Sequence, residues 1–93
     1  MSTRHQVLRL RVQIRAEADD EGDGGFLFNK QTAAICACNG TAWTVVQRLR
    51  RGGEADDFAV ALVAAYDVTA AQARKDVLAL IKELRSLDML EAR

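Results

Sequence analysis

The chain has 93 residues, 49% of them apolar and 28% charged, enough for one small globular domain. Its 13 basic and 13 acidic residues cancel, which disfavours binding to nucleic acid through the phosphate backbone. No apolar run approaches the roughly 18 residues needed to cross a bilayer, and no membrane partner is expected. The N-terminus alternates arginine with aliphatic residues and so lacks a signal peptide's continuous apolar stretch; a cytoplasmic protein is expected.

In "LRLRVQIR" the apolar Leu8, Leu10, Val12 and Ile14 alternate with Arg9, Arg11, Gln13 and Arg15. A period of two predicts a half-buried strand over Leu8–Arg15. The charged, glycine-rich stretch 16–25 reads as a loop, and Phe26, Leu27 and Phe28 as a second strand. Asn29–Thr32 has turn composition, and Ala33–Cys38 returns as the third strand of a hairpin.

From Asn39 the period becomes helical. Asn39 caps a helix carrying Ala42, Val45, Val46 and Leu49, which "RRGG" (50–53) terminates. A second helix is expected over about Ala55–Tyr66, with Phe58, Leu62, Val63 and Tyr66 on one face and Asp56 and Asp57 near its positive end. Thr69 caps the third, about Ala70–Leu87, with Ala73, Val77, Leu80, Ile81, Leu84 and Leu87 as its stripe. Three strands followed by three helices predict an α+β fold with one shared core, a single domain over 1–93.

Cys36 and Cys38 fall on one face of the third strand. A structural zinc needs four ligands, and only these thiols and His5 are on offer; redox work uses C-x-x-C at a helix start. They read as small hydrophobes, and no metal or cofactor is expected. In "DDEGDGG" the acids Asp19, Glu21 and Asp23 resemble part of a calcium loop, but its twelfth position is Lys30 and strands flank it. His5, Ser2 and Ser86 form no catalytic pattern, so no catalytic residue is assigned and no enzyme activity is expected.

One flank of the third helix carries Arg74, Lys75, Leu78, Lys82 and Arg85; the other carries Asp76 and Glu83. The basic flank reads either as a solvated face, with Leu78 covered by neighbouring stems, or as a groove wall attracting an acidic, partly apolar partner.

Over about residues 7–90 the ordered set "GGFLFN", "TAAICACN", "NGTAWTVVQRLRRGG", "DDFAVALVAAYDVT", "QARKDVLALIKEL" and "LDML" resembles the PqqD-like family. These are precursor-peptide recognition elements of ribosomally made, modified peptides. Cys38 stands where the family usually has leucine, and Asp88 where a glycine is common. The resemblance implies a winged-helix-like fold without enzymatic activity. It implies that the leader of a precursor peptide binds as an added strand along the third strand, covered by the third helix, while a separate peptide-modifying enzyme acts on the peptide's core.

A free strand edge beside a helix flank is itself a β-augmentation site. Matched onto this chain, the strand is Ala33, Ala34, Ile35, Cys36, Ala37 and Cys38, and the wall is Arg74, Lys75, Leu78, Lys82 and Arg85. Two alternatives belong to other classes. One is a winged-helix DNA-binding regulator reading the major groove with the basic flank. The other is a dimerisation or scaffold module using the same edge, which would make the protein a homodimer.

Overall fold

The computed structural model describes residues 6–20 and 22–92. Strands β1 (Leu8–Leu10), β2 (Ile14–Ala18), β3 (Gly25–Asn29) and β4 (Ile35–Cys38) precede helices α1 (Gly40–Leu49), α2 (Ala55–Ala65) and α3 (Ala70–Ser86); a short β5 (Leu90–Ala92) ends the order. β2, β3 and β4 form a three-stranded antiparallel sheet in that order, and β1 pairs with β5 in a two-stranded one. The fold is α+β and winged-helix-like, as expected.

The predicted single strand over Leu8–Arg15 is in fact two. Arg11 N donates to Met89 O and Ile14 N to Arg11 O, which turns the chain at Val12–Gln13. Leu8 and Leu10 enter the core beside β5, while Val12, expected to face inward, is 93% exposed at the turn. The predicted loop 16–25 shrinks to 19–24, because β2 runs on to Ala18 and β3 begins at Gly25. A Cβ on Gly24 would collide with the Cys38 carbonyl oxygen, and one on Gly25 would lie 2.7 Å from the Trp43 ring. This glycine pair lets the start of β3 pass close to the end of β4 and to α1.

The helices follow their caps. Asn39 Oδ1 accepts from Ala42 N at 2.9 Å and Thr69 Oγ1 from Gln72 N at 3.1 Å, each satisfying an amide that the first turn leaves open. Leu27, Val46, Leu49, Phe58, Leu62, Val77 and Leu84 meet in the core, each at 2% exposure or less. Burial of this kind contributes about 1.5–3 kcal/mol per large side chain. Val63 departs from expectation: it is exposed, and Ala61 takes the inner position. Tyr66 closes α2 onto α1, its hydroxyl donating to Gly40 O at 3.0 Å and lying 2.8 Å from Thr44 Oγ1.

At Asp88 the helix stops without glycine. Asp88 has φ +58°, Met89 N donates to Leu84 O at 2.9 Å and Asp88 N to Arg85 O at 3.1 Å. That is the Schellman pattern, with Met89 and Leu84 fully buried as its apolar contact. A non-glycine residue in this region costs about 1–2 kcal/mol, while the exposed Arg11–Asp88 pair (3.4 Å) offsets only a fraction of that. Asp88→Gly should therefore raise stability by about 0.5–1 kcal/mol, read as a higher urea midpoint. Asp88→Val should lower it.

Candidate peptide-binding groove

β4 pairs with β3 on one side only; among the described residues no strand pairs with its other edge. Asn29 N donates to Ala34 O at 2.9 Å, and bonded and non-bonded pairs alternate along an antiparallel ladder. Given the register, Cys36 and Cys38 exchange hydrogen bonds with Leu27 and Gly25. The main-chain groups of Ile35 and Ala37 then point away from β3, to the free edge. Apart from a 3.9 Å approach of the Cys36 thiol to the Ala37 carbonyl, no partner among the described residues meets them there.

The expected strand starts two residues early. Ala33 has φ +66° and its N–H donates to Asn29 O, while Ala34 N donates to Thr32 Oγ1. Both alanines spend their amides on the turn. The edge is therefore Ile35–Cys38, with Ile35 and Ala37 exposed and both cysteines buried.

Between this edge and α3 runs a groove of about 340 Å³ lined by Ala37, Asn39, Thr41, Ala42, Val45, Leu62, Asp76, Ala79, Leu80 and Glu83. Small side chains at Ala37 and Ala79 leave room for another backbone. Its helix wall is the acidic flank. Asp76 Oδ1 accepts from Gln72 Nε2 at 2.8 Å, and the Cys36 thiol points at Glu83 Oε2, 3.7 Å away.

The basic flank, expected to form this wall, lies elsewhere. Arg74, Leu78 and Arg85 line a second groove of about 320 Å³ together with Gln6, Leu8, Ala55, Asp56, Val77 and Ile81. There Arg74 is paired with Asp56 at 2.6 Å and Arg85 donates to Gln6 Oε1 at 3.0 Å. Lys75 and Lys82 are exposed and line neither groove. The reason is rotational: Glu83 and Arg85 sit about 200° apart around the helix, so the sheet meets one flank or the other. The spacing along α3 separates the two flanks and carries no information on which of them the sheet meets. The flank that lines the groove beside β4 has a signal of its own, since Gln72, Asp76, Ala79 and Glu83 follow an i, i+4, i+7, i+11 line with a small residue between two acids.

The thiols belong to the wall's inner side. Burial, followed by the neighbouring Cys38 and Glu83, pushes the Cys36 thiol from its ordinary 9.0 up to about 12; burial likewise raises that of Cys38. Both stay protonated at neutral pH, the state that is a poor nucleophile and a poor metal ligand. Because the folded values are raised, the neutral thiols' contribution to stability is complete below pH 9 and is lost as pH climbs towards about 12. Native protein should react slowly with a thiol reagent at pH 7 and take up two equivalents on unfolding, and its urea midpoint should fall across that alkaline window. Replacing both cysteines with alanine should flatten the alkaline fall.

Among the described residues no three His, Cys, Asp or Glu side chains gather as a metal cage, and no helix is long and apolar enough to cross a membrane. Ser86 Oγ donates to Glu83 O at 2.6 Å. His5, Ser2 and Glu21 of the acidic loop lie outside the described residues.

No curated protein matches the chain. A solved structure described as lasso peptide synthetase B1 complexed with the leader peptide is 31% identical, with TM-score 0.75, over 90% of this chain and 96% of that one. TbiB1 in complex with the TbiA(beta) leader peptide shares the fold at 18% identity and TM-score 0.79, over 89% of this chain and 94% of that one. The family model described as coenzyme PQQ synthesis protein D matches residues 24–90, from the glycine pair at the start of β3 to the first residue of β5. The chain, with its three-stranded sheet, its capped helices and its open β4 edge, belongs to the PqqD family.

Proposed function

We propose that this protein is a peptide-recognition element. It binds the leader segment of a ribosomally made precursor peptide by strand addition to β4 and holds it for a separate modifying enzyme. The observation that carries this reading is the Ile35–Cys38 edge, unpaired among the described residues and facing a groove with Ala37, Ala42 and Ala79 in its lining, in a chain 31% identical to a lasso peptide synthetase B1 solved with a leader peptide. Strand addition draws affinity from main-chain hydrogen bonds and selectivity from the side chains beside them.

In this proposal the 93 residues act as one domain, with its core at about 7–90, in the cytoplasm. Ile35–Cys38 supply the pairing edge, and Asp76, Ala79, Leu80 and Glu83 replace the basic flank as the wall. Lys75 and Lys82 remain on the outer face of α3, clear of the strand. The protein itself turns nothing over; its effect is to raise the local concentration of peptide at the enzyme.

The test uses the leader of the precursor peptide encoded beside its gene. Titration should shift the amides of Ile35–Cys38 and of Asp76–Glu83, and the full precursor's mass should stay unchanged until a modifying enzyme is added. Shifts confined to the Arg74–Arg85 groove would move the site across α3. A modified product from this protein alone would overturn the non-catalytic assignment.

A further inference from the structure

The groove's charge specifies what the bound segment carries, given the reading that a peptide strand occupies it. An added strand places alternate side chains on opposite faces. One set would enter the groove towards α3; the other would lie on the outer sheet face beside Ile35, which is 63% exposed and paired across the ladder with Phe28. The inward set meets two carboxylates and no cation. Among the described residues no lysine or arginine pairs with Asp76 or Glu83, whose contacts are the Gln72 amide and the Cys36 thiol. Ala37, Ala79 and Leu80 border the same space, so part of it is low-dielectric wall, which focuses the field of the two acids.

The acids stand seven residues apart on α3, about 10 Å along its axis, against about 6.8 Å between same-face residues of a strand. A single long cationic side chain set between them reaches towards both.

We propose that the segment this groove selects bears a lysine or arginine at the position facing Asp76 and Glu83, with an apolar β-branched or aromatic residue next to it for the Ile35 face. Acidic residues at the inward position are rejected by like charge. The selectivity is thus the reverse of the one the basic flank of α3 suggests when that helix is read alone.

The test is selection of a phage-displayed random dodecapeptide library on the full protein. The selected peptides are then titrated into the wild type and into an Asp76→Asn, Glu83→Gln variant. Both substitutions keep the side-chain shape at exposed positions, and circular dichroism verifies the fold. Selected peptides that shift the Ile35–Cys38 amides should be enriched in Lys or Arg beside an apolar residue. They should bind the variant about threefold to tenfold more weakly, with the difference shrinking in high salt. Peptides that shift those amides yet bind both proteins equally, or that are enriched in acids, would overturn this inference and leave strand addition standing. If no selected peptide shifts the Ile35–Cys38 amides, the β4 site itself fails, and this inference with it.

Discussion

Ala37→Pro should weaken leader binding about tenfold to a hundredfold while leaving the domain folded. Proline deletes the one N–H that Ala37 offers to the free edge and puts a ring where the partner strand would pass. Leaving a main-chain acceptor of the peptide without its donor costs about 1–3 kcal/mol. The β3 ladder is spared, because the register and the Asn29–Ala34 bond turn the Ala37 amide away from β3. Edge positions of this kind tolerate proline. The stability change should stay within about 1 kcal/mol.

Ala18→Pro is the matched control. Asp19 N donates to Gly24 O, so by the same alternation the exposed Ala18 amide faces the outer edge of β2. It should leave binding unchanged. Calorimetric titration of both variants decides between the two sheet edges; equal losses, or no loss at Ala37, would remove β4 as the pairing strand.

Local chemistry in this chain is legible wherever one residue decides one feature. Asn39 and Thr69 announce their helices because their side chains complete the first turn, and the inner stripe of α3 follows from spacing alone. The shared inward face of Cys36 and Cys38 follows from strand parity in the same way. What stayed hidden depends on partners far along the chain. The alternation of Leu8–Arg15 looks continuous, yet Leu8 and Leu10 pair with Ala92 and Leu90 while Ile14 pairs with Asn29, so the strand must break between them. The short stretch "LEA" at 90–92 carries no mark of its pairing with β1.

The site was half legible for the same reason. The strand and the helix that border the groove are legible as elements, but which flank of α3 meets β4 is set by how three helices stack against the sheet. That rotation puts Asp76 and Glu83, not Arg74 and Arg85, beside β4.

Asn29→Ala should be the most damaging single substitution outside the apolar core, costing about 3–5 kcal/mol. Asn29 belongs to a stretch of turn composition, but it is fully buried. Its Nδ2 donates to Leu87 O and Asp88 O, both at 3.1 Å, and its Oδ1 accepts from Gln31 N at 3.0 Å and Thr32 N at 3.3 Å. One amide thus holds the β3–β4 turn in shape and ties it to the carbonyls released at the end of α3. Alanine removes four hydrogen bonds at once, each contributing about 0.5–1.5 kcal/mol net, and leaves a hole where the buried amide sat. Aspartate would keep the two acceptor bonds and lose both donor bonds, placing a charge against two carbonyls, so it should not rescue.

The same link sets the distance between β4 and α3, and the groove between them should loosen before the domain unfolds. A urea midpoint lowered in proportion to this loss, with peptide affinity reduced even at concentrations where the variant is fully folded, is the expected result. A variant as stable as wild type would mean that water replaces all four hydrogen bonds, and that the turn and the helix end are held together by packing alone.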